Sequence, residues 1–144
     1  MTLQQFSYSQ NEKYPNFKDG LPFLPIVLTG KKSVTVSALV DSGSTINVLP
    51  YDIGIRLGLV WEDQKFYIPE LKGFLRNTEA FGILLKGTIN SFPPVSLAFA
   101  WTQSNEVPVI LGQTNFFSEF DVCFFGSQKI FTLLPTLKTK SRPA

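Results

Sequence analysis

Ala38-Leu39-Val40-Asp41-Ser42-Gly43-Ser44-Thr45 runs three apolar residues straight into an acid, a hydroxyl, a glycine and two further hydroxyls. An ionised carboxylate at the rim of an apolar core loses hydration unless hydroxyl or backbone donors replace the lost water. Ser42, Ser44 and Thr45 are such donors, and Gly43 lets the backbone turn sharply and approach a neighbour closely. The stretch can therefore hold one carboxylate in a fixed, partly shielded pose. Asp, Ser and Gly are also ordinary turn residues, and most Asp-Ser-Gly tripeptides are simple loops. What flanks the motif decides between the two.

Upstream, Phe23 to Thr29 is a short apolar run, Gly30-Lys31-Lys32 a polar turn, and Ser33 to Val40 alternates hydroxyl and apolar positions. This pattern predicts a hairpin whose second strand delivers Asp41. Downstream, Pro50 before Tyr51 to Leu57 and Gly58 after it punctuate a helix of one to two turns. Lys65 to Ile68 and Glu79 to Leu85 read as extended runs around a long tip, Pro69 to Asn77, that mixes apolar and charged residues. Most hairpin loops are about two to five residues, so a tip of this length reads equally as a mobile lid or as a loop folded back on its own domain. Val95 to Trp101 alternates as another strand. Val107-Pro108-Val109-Ile110-Leu111-Gly112-Gln113 then repeats in outline what precedes Asp41, a buried β-branched run ending at a glycine turn. Thr114 to Phe120 predicts a short helix with Thr114 or Asn115 as its cap, and Asp121 to Phe125 and Lys129 to Leu134 are the last strand candidates. Many short strands with two short helices describe a small closed β architecture.

Absences narrow the chemistry. With 144 residues the chain suffices for one domain with one sizeable core, and a 44% hydrophobic, 17% charged composition with fourteen Phe is globular. A formal charge of +2 gives no electrostatic case for nucleic acid or an acidic membrane surface. There is no histidine, which removes Ser-His and Cys-His nucleophilic pairs, the usual imidazole base and most zinc sites. The single Cys123, flanked by Val122, Phe124 and Phe125, excludes an intrachain disulfide and reads as a buried structural thiol. Carboxylates are left as the leading acid–base groups, with no cofactor or metal called for. Residues 1–20 are polar and lack a secretory pattern, no run is long enough to span a membrane, and a cytoplasmic setting is the default.

In this order the residues resemble the retropepsin-like aspartic proteases, the single-domain relatives of the retroviral proteases. Three features carry the likeness: an apolar strand into Asp41-Ser42-Gly43-Ser44, a long glycine-bearing hairpin tip near Gly73, and Val109-Ile110-Leu111-Gly112 before a short helix. The resemblance implies an all-β fold, a small closed acid-protease barrel with a flap hairpin and one or two short helices. It covers residues 21–134, leaving 1–20 as an N-terminal leader that need not pack and 135–144 as a basic tail.

What the family implies is an aspartic endopeptidase active as a symmetric homodimer, because the chain has one Asp-Ser-Gly motif and a working site takes two. Asp41, Ser42, Gly43 and Ser44 would form the catalytic floor. Val40, Ile46, Leu71, Gly73, Phe74, Leu75 and Ile110 would lie along an extended peptide or protein substrate. Ser44 stands where many retroviral members have alanine, and a hydrogen bond from it to the Asp41 carboxylate would favour the charged form and an acidic working range. Thr45 and Gln113 replace an aspartate and an arginine that usually pair as a salt bridge, so neither charge is stranded and a neutral hydrogen bond can take the pair's place. Two rivals predict differently. A non-catalytic dimeric peptide-binding module on the same fold would bind without cutting, and an unrelated β-barrel binding a hydrophobic ligand would be a monomer indifferent to Asp41.

Overall fold

The computed structural model describes residues 2–68 and 79–137. The expected all-β architecture is what the chain forms, and its centre is a closed barrel. The strands that the alternation predicts, β2 (Phe23–Thr29) and β3 (Ser33–Val40), pair antiparallel from Phe23↔Leu39 to Thr29↔Ser33. Val34, Val36, Ala38 and Val40 point into the core while Ser33, Thr35 and Ser37 face out, so the two-residue period fixes which side carries the motif.

Beyond Asp41 the chain continues as β4 (Asn47–Leu49), α1 (Tyr51–Arg56), a 3-10 turn at Trp61–Asp63, β5 (Tyr67–Ile68), β6 (Ala80–Thr88), β7 (Val95–Thr102) and β8 (Val109–Leu111). Hydrogen-bonded neighbours run β2-β3-β8-β4-β7-β6, and β6 returns to β2 through Val27↔Thr88 to Thr29↔Lys86, which closes the ring. β5 lies outside it on β6, with Tyr67 opposite Phe81 and Ile68 opposite Ala80. Closure leaves few exposed edges, the liability of any small sheet protein. Pro25 sits where β2 has β3 alone as a neighbour, a position that tolerates a residue without an amide hydrogen.

The crossing that matters most is β8. It runs parallel to β3, with Leu39 opposite Ile110 and Val40 opposite Leu111, and touches β4 antiparallel at Val48↔Ile110. The strand carrying Asp41 and the strand after it are thus held apart by one inserted segment, which ends at Gly112.

The core is strongly aromatic. Trp101 is fully buried, stacks on Tyr51 at 5.8 Å and receives the edge of Trp61 at 5.0 Å. Its Nε1 donates to the Tyr51 carbonyl at 3.2 Å. Gly54 turns its face of α1 to this indole, and a β-carbon there would fall among the ring atoms. α1 therefore docks by lacking a side chain, while Leu57 at its end is wholly buried.

A second, three-stranded sheet has the order β1-β10-β9. Residues 2–20, whose packing the sequence leaves open, contribute β1 (Gln4–Ser7), which pairs with β10 (Ile130–Pro135) from Gln4↔Leu133 to Ser7↔Ile130. β9 (Phe120–Phe125) follows α2 (Phe116–Glu119) and lies on the other side of β10. Ser9 and Leu21 exchange two backbone hydrogen bonds that close the loop between them, and Gly20, at φ +83°, lies too near the Ser9 backbone to carry a β-carbon.

Two expectations need correction here. Cys123 is exposed, because β9 is the outer strand of its sheet and its neighbours cover one side only. Asn115 sits at the start of α2 but makes no capping hydrogen bond, its side chain being engaged across the barrel.

Candidate active site

Asp41 begins where β3 stops. Its amide donates to the Leu111 carbonyl at 2.9 Å, one step beyond the β3–β8 ladder, so both strands set the height of the acid. The chain then folds into a turn in which the Ser44 amide donates to the Asp41 carbonyl at 3.1 Å. Inside that turn the Gly43 amide donates to Asp41 Oδ1 at 2.9 Å. Asp41 is half-buried, as is Ser44, while Ser42 and Gly43 are exposed. A backbone donor aimed at one carboxylate oxygen orients the group and leaves the other for chemistry.

Ser44 does not reach Asp41. Closing the turn directs its side chain forward, and Oγ donates to the Ile46 carbonyl at 2.8 Å. The expected hydrogen bond to the carboxylate is therefore absent, and with it the argument that Ser44 sets an acidic range.

The turn is clamped from the side of β8. The Gln113 amide donates to the Ser44 carbonyl and the Thr114 amide to the Thr45 carbonyl, each at 2.9 Å, while Gln113 Nε2 donates to the Ser42 carbonyl at 2.8 Å. A neutral amide thus does bind the motif, through the backbone of Ser42 rather than the side chain of Thr45. Gly112 makes the approach possible, since a β-carbon there would stand 2.7 Å from the Ser44 carbonyl oxygen and nearer still to that of Ile46.

Beneath the clamp lies a buried amide pair that the sequence reading missed. Asn47 is fully buried, accepts from the Gly112 amide at 2.7 Å and donates to the Ala98 carbonyl at 3.0 Å and to Asn115 Oδ1 at 3.2 Å. Asn115 in turn accepts from the Ala98 amide and donates to the Ser96 carbonyl at 2.8 Å. Three strands and the start of α2 meet on two side chains with no buried side-chain polar atom unsatisfied among the described residues. The signal was present: Asn47 interrupts an otherwise apolar run, Ile46 to Leu49, where an amide without partners would be costly.

Asp41 and Ser42 open on a cleft of about 300 Å³ shared with Leu21, Pro22, Leu39, Val40 and Phe124. Val40, the residue before the acid, lines the same cleft. Ile46 and Ile110 are not on this cleft; they belong to a second apolar cluster with Val48, Ala80, Ala100 and Val107, and Ile110 is buried in it. The expected contacts Leu71, Gly73, Phe74 and Leu75 lie outside the described residues. A larger cavity of about 750 Å³, lined by Phe66, Ile68, Leu84 and Phe99 among others, includes Ile46 but neither Asp41 nor Ser42. The Asp-Ser-Gly motif thus opens on the smaller cleft.

Tyr14 is an unforeseen neighbour. Burial pushes its phenol above its ordinary pKa, and the charge of Asp41 adds to the rise. The loop that carries it is anchored by Lys13, whose Nζ donates to the carbonyls of Asn105 at 2.8 Å and Val107 at 2.9 Å.

No known protein-family model matches the chain, and no curated protein does. Solved structures do. The chain is similar to a retropepsin-like aspartic protease from Rickettsia conorii, with a TM-score of 0.62 and 14% identity over 92% of this chain and 91% of that one. It is also similar to EIAV protease complexed with the inhibitor HBY-793, with a TM-score of 0.51 and 18% identity over 67% of this chain and 86% of that one. The closed barrel is therefore a retropepsin-like fold. No helix among the described residues is long and apolar enough to cross a membrane.

Proposed function

We propose that the chain is an aspartic endopeptidase that works as a symmetric homodimer, each copy contributing one Asp41. The observation that carries this reading is the pose of that acid: at a strand end, half-buried, oriented by the Gly43 amide and facing an open cleft. Similarity to two aspartic proteases of the same fold supports it.

Two carboxylates facing each other across a twofold axis cannot both ionise cheaply, so the pair holds one proton and titrates as a unit. The ionised member takes a proton from a water as its oxygen attacks the scissile carbonyl carbon. The protonated member gives its proton to the carbonyl oxygen, producing a neutral tetrahedral diol. Proton transfer to the amide nitrogen then breaks the C–N bond and leaves a carboxyl and an amino terminus. The Gly43 amide and the clamp from Gln113 hold the geometry; Ser42 and Ser44 shape the turn. An extended peptide would lie over the floor through backbone hydrogen bonds, with Val40 among its apolar walls. A cytoplasmic setting completes the reading.

The test is digestion of a peptide library between mildly acidic and neutral pH beside Asp41→Asn, with mass measured in solution. Cleavage by the parent and none by a dimeric Asp41→Asn is the expected result. Peptide binding without cleavage by either protein would point to a non-catalytic module. A monomer indifferent to Asp41→Asn would point to a small-ligand barrel.

A further inference from the structure

We propose that Lys13 is a positioning residue for the Asp41 site: the loop from Ser9 to Leu21 is a strap across the approaches to β3 and β8, and the Lys13 ammonium fastens it. The effect on turnover rests on the protease reading above, whereas the strap itself does not.

The loop is ordered although little of it is buried. Its ends, Ser9 and Leu21, are joined by two backbone hydrogen bonds. Within it the amides of Tyr14, Phe17 and Gly20 donate in succession to the carbonyls of Asn11, Tyr14 and Phe17, and Gln10 Nε2 crosses to the Lys18 carbonyl at 2.7 Å. The rings of Tyr14 and Phe17 meet edge to face at 6.2 Å. Yet Glu12, Lys13 and residues 15–19 are exposed. A compact surface loop with joined ends gives up chain entropy for little burial, a form that commonly serves function.

Its two anchors lie on either side of the acid's supports. Lys13 Nζ donates to two carbonyls of the β7–β8 connection, Asn105 at 2.8 Å and Val107 at 2.9 Å. Val107 is buried at the entry to β8, whose Leu111 carbonyl receives the Asp41 amide. The next residue, Tyr14, packs on Phe23 with ring centroids 6.3 Å apart. Phe23 stands opposite Leu39 in the β2–β3 ladder, and the Pro22 carbonyl receives the Val40 amide at 3.0 Å. Consecutive residues of one loop thus grip the entry to β8 and the end of β3, the two strands that set the height of Asp41.

The β7–β8 connection shows what the ammonium adds. From the other side α1 holds only its near half, the Tyr51 amide donating to the Ser104 carbonyl and the Asp52 amide to Asn105 Oδ1. Lys13 extends the hold to Val107, because an ammonium carries three donors and can serve two carbonyls from one point. Tyr14 brings the strap within the field of the acid: burial first, and then the charge of Asp41, raises its phenol.

The experiment compares the full chain with Lys13→Met and Lys13→Arg by cleavage kinetics on one peptide, circular dichroism and absorbance titration of Tyr14, read as the difference from the matching Tyr14→Phe protein. Met keeps the stem without the charge; Arg restores the charge and the donors. A displaced acid loses turnover rather than binding, so Lys13→Met should lower kcat about 10- to 100-fold with KM within about twofold and parental dichroism. Lys13→Arg should recover most of the loss. Without substrate, Lys13→Met should bring the Tyr14 titration down toward the ordinary tyrosine value, and Asp41→Asn should then lower it no further. In a parent that cuts peptide, a Lys13→Met protein that keeps either the parental kcat or the parental titration overturns the strap and leaves the protease reading standing. A loss that Lys13→Arg shares in full, or a lower melting temperature with kcat unchanged, also overturns it. A parent that cuts no peptide while the titration responds as stated upholds the strap and refutes the protease reading. Should Lys13→Met fail to fold, Lys13→Gln, neutral but still a donor, takes its place with the same direction expected in both readouts.

Discussion

The role proposed for Asp41 depends on surroundings that leave it little freedom, and single residues supply those constraints. Gly112 is the strictest. Gly112→Ala would drive a methyl group against the carbonyls of Ser44 and Ile46, so the motif turn has to move. Overpacking of this kind costs about 1–3 kcal/mol, and we expect peptide cleavage to fall with it, read by denaturant melts and activity on one sample. Asn47→Leu would orphan the Gly112 amide at about 1–3 kcal/mol, measured as a drop in the urea midpoint at unchanged slope, while Asn115 keeps its two bonds to β7. Tyr14 reports on Asp41 without any substrate. Asp41→Asn should lower the Tyr14 pKa part of the way toward 10.0, since burial, the larger cause, remains; absorbance titration against a Tyr14→Phe background checks it. Folding favours the protonated phenol, so this group's contribution to stability is complete below its unfolded pKa and is lost as pH rises through the higher folded value. An unchanged Tyr14 titration would place the acid elsewhere.

At the scale of elements, α1 and β9 show what patterns in a chain can reveal. β2 and β3 are legible because β2 is a short apolar run, β3 alternates, and a turn of Gly30 and two lysines separates them. α1 was legible from its proline and glycine punctuation, yet not the reason it docks. Gly54 reads in the sequence as a weak helix former and in space as the gap that receives Trp101. Gly54→Ala should therefore destabilise the protein by about 1–3 kcal/mol, against the usual gain for an exposed helical glycine, and should change Trp fluorescence. β9 was legible as a strand, but alternation does not say which strands are outermost, so Cys123 was expected to be buried. β1 was missed because four residues, Gln4 to Ser7, carry too little apolar pattern to register; β10 specifies them from the far end of the chain. Closure of the motif's own turn sends Ser44 to the Ile46 carbonyl two residues on, and tertiary contact draws Asn115 across to β7.

The whole molecule is a closed barrel with one acid at a strand end and a second sheet whose apolar edge borders the same cleft. Ordered motifs made that fold readable, because a strand into Asp-Ser-Gly-Ser and a second strand into Gly112 have few ways to coexist in so short a chain. A single carboxylate has no means of splitting its own proton inventory between base and acid, which is why the proposed function is a property of two copies. The most direct measurement is cleavage of a peptide library by the parent and by Asp41→Asn, each with its mass determined in the same solution. The account predicts two dimers of equal mass, the first cutting and the second inert. Equal cleavage by both proteins, or none by a parent that is a folded dimer, would contradict it.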